Sequence, residues 1–274
     1  MQPEVNAIDL RLCDGAGANE HVEFADTTAV RNGCRRHKRA RQALPADKDQ
    51  MSLYKYETHL HTSETSRCST SGGADLAHYF KARGYTGIFV TDHFLGSNTT
   101  VPENLPWNQR IDMFMHGYEA AAREGAKIGL DVFFAWEYGQ DWTHLLTYGL
   151  DKDWLLANPD MLNWDIIEYF DRVHAAGGAI VHAHPFRENV ECVRLFPTKT
   201  DAVEVINSSR NDDANRHALD FALSFTLPQA AGSDIHHTDK NNLAGVFCRQ
   251  RLSHPGDYIA ALRAGTAVIF DEQQ

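Results

Sequence analysis

From residue 53 onward, short apolar runs alternate with longer stretches whose apolar residues recur every three or four positions. A compact apolar run between turn residues predicts a buried strand, and the 3.6-residue period predicts a helix. Leu53-Tyr54-Lys55-Tyr56 opens the series as a strand. A helix over 74–83 follows, with Leu76, Ala77, Tyr79 and Phe80 on one face and Gly84 as its stop. Strands are predicted at 86–91, 132–136, 144–150, 179–181, 202–206, 227–231 and 267–270. Helices are predicted near 109–126, 163–176, 213–223 and 255–264, the second ended by Gly177-Gly178. The strand runs are mostly apolar, as in parallel strands covered on both faces. Repeated β–α units of this kind predict a barrel-like α/β fold.

The first 50 residues lack this pattern. Phe24 is their only aromatic residue, and a basic cluster runs from Arg35 to Arg41. So little apolar surface cannot offset the entropy of ordering the chain, which predicts disorder. The cluster reads as a solvated charge run, with a nucleic-acid arm as the alternative. Met51 stands just ahead of the first strand, so Met51 is the expected natural start, 1–50 an upstream extension and 51–274 the catalytic barrel.

Charge separates the same two parts. Residues 1–50 hold 8 basic and 8 acidic residues; from totals of 26 and 37, residues 51–274 keep 18 and 29. The whole net charge of −11 therefore belongs to the barrel region. Such acidity repels a long polyanion, which argues against extended nucleic acid as a partner. No apolar run approaches the roughly 20 residues that span a bilayer, and the N-terminus carries no signal pattern. Cys13, Cys34, Cys68, Cys192 and Cys248 are scattered and odd in number, which suits free thiols in a reducing compartment. A cytoplasmic protein with no membrane role is expected. Trp107, Trp136, Trp142 and Trp164 read as core residues, with stacking on a base or sugar as the alternative.

The chemistry-bearing residues stand where apolar runs stop. His59 and His61 alternate at a strand end, so both imidazoles share a face and can grip one cation. Thr91-Asp92-His93, Glu137, His182-Ala183-His184-Pro185 and Asp234-Ile235-His236 follow in order. In a barrel, the C-terminal strand ends carry the active site. This set predicts a metal centre with open positions, and hence a hydrolase. Mixed imidazole and carboxylate donors suit Zn, Mn or Fe better than Ca or Mg. His144 reads equally as a ligand or a structural residue, and His182 as a core histidine. Asp92 is expected to orient its neighbours or to protonate the leaving group. Arg187 is a candidate phosphate clamp through its planar fork, with Arg210 a weaker one. Asn207 reads as a substrate contact or a buried amide. His237 reads as a loop residue, and His78, His116, His174 and His217 as surface or packing residues.

On these motifs, residues 51–274 resemble the polymerase and histidinol phosphatase (PHP) superfamily of metal-dependent phosphoesterases. The resemblance implies a distorted (β/α)7 TIM-like barrel with its active site at the C-terminal strand ends. It further implies two or three divalent transition-metal ions (Zn, Mn or Fe). His59 and His61 match the first metal-binding pair, and His93 the T-D-H histidine. Glu137 matches the bridging carboxylate, His184 the A-H-P ligand, and Asp234 and His236 the final D-x-H. Two positions depart from the pattern. Glu57 replaces the Asp two residues before the first histidine, and is expected to orient an imidazole. Ser66 and Arg67 stand where Asp or His is usual five or six residues after the second histidine. Glu64 and Cys68 are the substitutes at hand, and Arg67 is a candidate phosphate-binding residue.

The activity implied is hydrolysis of a small phosphate ester, a phosphomonoester foremost, by a hydroxide bridging the metals. A metal-dependent amidohydrolase, a nuclease of the same superfamily and a non-catalytic metal-binding domain are the competing readings. The Glu at the bridging position and the terminal Asp-x-His favour phosphoester chemistry over the amidohydrolase.

Overall fold

The computed structural model describes residues 53–187 and 193–272. The expectations for residues 1–50 and for Met51 as a start lie outside them.

Nine strands form one mixed sheet in the order β7-β6-β5-β4-β3-β2-β1-β8-β9. They are β1 (Tyr54–Leu60), β2 (Gly87–Val90), β3 (Asp131–Gln140), β4 (Thr143–Tyr148), β5 (Ala179–His182), β6 (Ala202–Asn207), β7 (Gln229–Gly232), β8 (Ala244–Cys248) and β9 (Val268–Asp271). The sheet curls until β7 returns beside β1. Leu60 forms a parallel bridge with Ile235 just beyond β7, and Thr58 Oγ1 donates to Ala231 O at 2.6 Å. The result is a nearly closed α/β barrel.

Helices α1 (Gly73–Ala82), α2 (Trp107–Phe114), α3 (His116–Ile128), α4 (Lys152–Ala157), α5 (Ile166–Ala175) and α6 (Asp212–Ser224) connect the strands, and α7 (Pro255–Arg263) precedes β9. Several start where an Asp or Asn side chain accepts from free backbone N–H groups of the first turn: Asp151 for α4, Asp165 for α5 and Asn211 for α6.

Alternation along each strand sorts the residues. Phe133 and Ala135 on β3, Leu146 and Tyr148 on β4, and Ala179 and Val181 on β5 point into the barrel, together with Tyr56, Phe89 and Val246. Tyr258, Ile259 and Leu262 of α7 pack against that cluster. The opposite faces, including Phe134, Trp136 and Tyr138 of β3, pack outward against the helices.

The barrel is less regular than a (β/α)7 repeat. Four of the strand pairings are parallel and four antiparallel. The strand predicted over 132–136 runs on to Gln140 and returns through Asp141-Trp142, both at positive φ. Two residues cannot make a crossover, so β4 must lie antiparallel. Trp142, read as core, sits on this turn 72% exposed. The predicted helix over 109–126 divides at Met115. Strand β8 and helix α4 had no counterpart in the apolar pattern: Ala244-Gly245-Val246-Phe247-Cys248 contains a glycine, and α4 is only six residues long.

Phe89 fills the barrel centre, with its ring against those of Phe133, Tyr148 and Tyr258. Phe89→Ala should cost about 3–5 kcal/mol, read as a lowered denaturant midpoint with an unchanged m-value.

Candidate metal centre

Glu137, His144 and His93 follow the inward-facing parity of their strands beyond the apolar layer. Glu137 continues the Phe133–Ala135 row, and on β4 it pairs with Leu146, while His144 pairs with Gly139. His93 forms a parallel bridge with Glu137. The remaining donors need irregular backbone. The β1–β2 register shifts between Glu57 and Leu60. Tyr56 packs in the interior cluster and Leu60 in an outer one, so the parity of β1 changes between them. That shift delivers His59 and His61 to the inside. His184 and Asp234 sit at φ 27° and 50°, a left-handed conformation uncommon for side chains other than glycine.

Gly232 makes room at the centre. A Cβ there would fall 2.5 Å from His59 Cβ and 2.9 Å from Glu204 Oε1.

The donors face one another across short gaps. His59 Nε2 lies 3.6 Å from Glu137 Oε1 and 3.5 Å from Asp234 Oδ1. His61 Nε2 lies 3.5 Å from Glu137 Oε2, 3.2 Å from Asp234 Oδ1 and 3.2 Å from His59 Nε2. His144 Nδ1 and His184 Nε2 approach Glu137 Oε1 at 2.8 and 3.2 Å. With metal bonds of about 2.0–2.2 Å, donors of one tetrahedral ion stand roughly 3.4 Å apart. Three groups have spacing suited to an ion: His59, Glu137 and His184; His59, His61 and Asp234; and His61, His93 and His236.

Orphaned atoms point the same way. His93 Nδ1 and Glu137 Oε2 are 2.7 Å apart, yet both are buried and neither finds a hydrogen-bond partner. Burial opposes ionisation of Glu137, but the His144 and His93 imidazoles overcome it and hold its carboxyl well below the usual range. Burial likewise opposes ionisation of Asp234, and His59 and His61 hold it well below as well. Ionised carboxylates interleaved with imidazoles become a donor set for divalent cations when a cation displaces the imidazole protons.

Behind the donors, Glu204 on β6 binds three groups at once. Its Oε1 pairs with His59 Nδ1 at 2.8 Å. Its Oε2 accepts from His184 N and from Asn207 Nδ2, each at 2.9 Å. The imidazole-orienting role expected of Glu57 thus falls to Glu204. Because of the register shift, Glu57 accepts instead from Thr58 N, His59 N, Ser233 N and Ser233 Oγ. Glu204 had a sequence signal, an acid inside the apolar run Ala202-Val203-Glu204-Val205-Ile206.

The other expected site residues divide. Asp92 accepts from Thr62 N, Thr62 Oγ1 and Ser66 Oγ at 2.6–2.7 Å, so it braces the loop after β1. Ser66 Oγ accepts from His93 N at 3.0 Å. Asn207 is fully buried, its amide donating to Glu204 and Asp234 and its oxygen accepting from Ser209 N, the arrangement of a buried amide. Arg187 Nη1 stands 3.4 Å from His144 Nε2, and Arg210 Nη2 lies 2.8 Å from Asp234 Oδ2. Arg67 is exposed. Glu64 accepts from Gly73 N at the start of α1, so it is turned away from the histidines. His182 packs beside Phe196, and burial pushes its imidazole down to about 3.

No family model and no curated protein matches the chain. Solved structures do match it. A two-domain protein from Bacteroides vulgatus, described as containing a predicted PHP-like metal-dependent phosphoesterase, aligns at TM-score 0.58 and 15% identity over 80% of this chain and 65% of its own. The chain thus spans less than two thirds of that protein. PsfC from Pseudomonas syringae aligns at TM-score 0.53 and 18% identity over 80% of this chain and 92% of its own. An amidohydrolase from Chromobacterium violaceum, solved with sulfate and no metal, reaches TM-score 0.47 at 14% identity over 67% of this chain and 88% of its own, which decides nothing between chemistries. The first two likenesses support the fold as the TIM-like α/β barrel expected from the sequence. Among the described residues, no helix is long and apolar enough to cross a membrane.

Burial pushes the Glu57 carboxyl up to about 7 from 4.5. A raised folded-state value means that its contribution is fully present below about 4.5 and is lost as pH rises through about 7. The difference in unfolding free energy between the protein and Glu57→Gln should therefore change across that window and be flat on either side. Denaturant titrations of both proteins over pH check this.

Proposed function

We propose that the chain is a PHP-superfamily phosphoesterase that hydrolyses a small phosphate ester, a phosphomonoester in the first instance. The observation that carries this reading is the convergence of Glu137 and Asp234 with His59, His61, His93 and His184 at donor–donor gaps close to those around a shared ion. His144 and His236 complete the proposed ligand set. Glu137 stands between the imidazole pairs, where an amidohydrolase of the carbamate type would place a lysine.

Divalent cations bound here supply Lewis-acid stabilisation of phosphoryl oxygens and lower the pKa of water towards neutrality, to about 7 in favourable sites. The remaining work falls to the protein. Glu137 and Asp234 bring the negative charge that retains the cations, and the neutral imidazoles add donors without adding charge. Glu204 fixes the tautomer of His59: by accepting from Nδ1–H it leaves Nε2 free to face the site. In this reading Arg187, whose Nη1 stands 3.4 Å from His144 Nε2, binds a phosphate oxygen of the substrate, and Arg210 and Lys240 add positive charge on the Asp234 side. A small phosphorylated substrate fits a rim that combines these cations with an otherwise acidic domain.

Protein stripped with a chelator should be inactive and should regain turnover with Zn, Mn or Fe. A panel of phosphomonoesters, phosphodiesters and cyclic amides identifies the bond cleaved. His61→Ala should lower phosphomonoester turnover roughly a thousand-fold, equivalent to about 4 kcal/mol of transition-state stabilisation. Metal-dependent cleavage of cyclic amides without phosphate release would reject the reading.

Glu204→Ala should weaken metal affinity by roughly 10–100-fold. Activity should return at high metal concentration, which separates a positioning role from a loss of fold.

A further inference from the structure

Hydrolysis of a phosphate ester needs a proton for the departing oxygen, and few groups around the centre are left to give one. The proposed ligands commit their ring nitrogens and carboxylates to the cations. Asp92 and Glu57 are filled by three and four hydrogen-bond donors, and Glu204 is occupied by His59, His184 and Asn207. Arg187 and Arg210 carry guanidinium groups, which keep their protons. His237 is exposed and engaged with Thr70, its Nδ1 2.6 Å from Thr70 Oγ1.

Lys240 is differently placed. It lies half-buried between β7 and β8, beyond the Asp234-Ile235-His236 segment. Tyr79, buried on α1, donates its hydroxyl to Lys240 O and so ties down the backbone. Ser209 Oγ directs its single proton at Ser233 O and Asp234 O, each 2.7 Å away, and therefore accepts from the Lys240 ammonium. Through Ser209 the ammonium stands two hydrogen bonds from the backbone of Asp234, whose carboxylate Arg210 holds at 2.8 Å. Among the described residues no carboxylate pairs with Lys240, which leaves N–H groups to offer. Burial lowers its pKa; Asp234 and Glu57 oppose the fall and Arg210 adds to it. A lysine shifted downward gives up a proton more readily than a solvated one.

We propose that Lys240 is the proton donor to the leaving oxygen. The inference rests on the phosphoesterase reading above and adds to it a catalytic residue outside the ligand set. As the bond between phosphorus and the ester oxygen breaks, its electron pair stays on that oxygen. The oxygen takes a proton from Nζ and departs as the alcohol. Water supplies the oxygen that phosphorus gains, and the proton it releases returns through solvent to the neutral amine. Ser209 holds the ammonium beside the centre before substrate arrives, which reduces the ordering that the transfer requires.

Leaving groups of different quality test this in the metal-loaded, full-length protein. An alkyl phosphate needs the proton, whereas p-nitrophenyl phosphate needs it far less because nitrophenolate is a stable anion. Lys240→Met should lower turnover of the alkyl ester roughly a thousand-fold and that of the aryl ester only about ten-fold, within the usual contribution of a general acid. Lys240→Arg should show the same fall of about a hundred-fold in the alkyl-to-aryl ratio, since a guanidinium keeps the charge but withholds the proton. Both rates come from one preparation, so the ratio does not depend on how much of a variant folds. Elemental analysis should find the same bound metal per chain in both variants as in the unaltered protein. An unchanged ratio in Lys240→Met, its recovery in Lys240→Arg, or loss of bound metal overturns the proton donor and leaves the phosphoesterase standing. Absence of turnover of either ester by the unaltered protein overturns both.

Discussion

Five carboxylates lie inside this barrel, each at most 2% exposed: Glu57, Asp92, Glu137, Glu204 and Asp234. Taking so many acids out of water is prohibitive unless each is neutralised, hydrogen-bonded or matched by positive charge. Much of the local structure around the rim is a response to that constraint. Glu57 is satisfied by Ser233 and backbone N–H groups, Asp92 by Thr62 and Ser66, and Glu204 by His59, His184 and Asn207. Glu137 and Asp234 differ because most of what surrounds them is imidazole, with one guanidinium against Asp234. Their negative charge is directed at a shared space, and that is the physical basis of the metal-centre reading.

Three carboxylates therefore build the frame and two face the space shared with the imidazoles. The frame also explains the strained positions. His184 adopts positive φ while its N–H is held by Glu204, and Asp234 does so while Arg210 and Asn207 hold its carboxylate. Uncommon backbone at these two points is retained where several contacts fix it.

The sequence made the donors legible because each stands where an apolar run ends, a signal that depends only on residue order. What it could not show was parity. Glu57, His59 and His61 alternate in the chain, so a regular strand would put all three on one face; the register shift in β1 breaks that equivalence and replaces Glu57 with Glu204. Strand direction was hidden for a similar reason. The residues after 136 carry Glu137, Gly139 and Gln140, which look like a loop, and only hydrogen bonding to β4 makes them a strand. The hydroxyls of Thr62 and Ser66 were silent, since such residues are equally at home on a surface. The helices were easier, because an amphipathic stripe is a local property.

The hairpin of β3 and β4 has a consequence of its own. Glu137 and His144 belong to one antiparallel ladder closed by only two residues, Asp141 and Trp142, so their separation is set by cross-strand geometry and not by a pliable connection. Adding or deleting a single residue in that connection would slide the register by one and turn the His144 imidazole to the opposite side of the sheet. The length of this bend is therefore as much a determinant of the donor geometry as the identity of the donors, and an insertion tolerated on another surface loop would dismantle the site here.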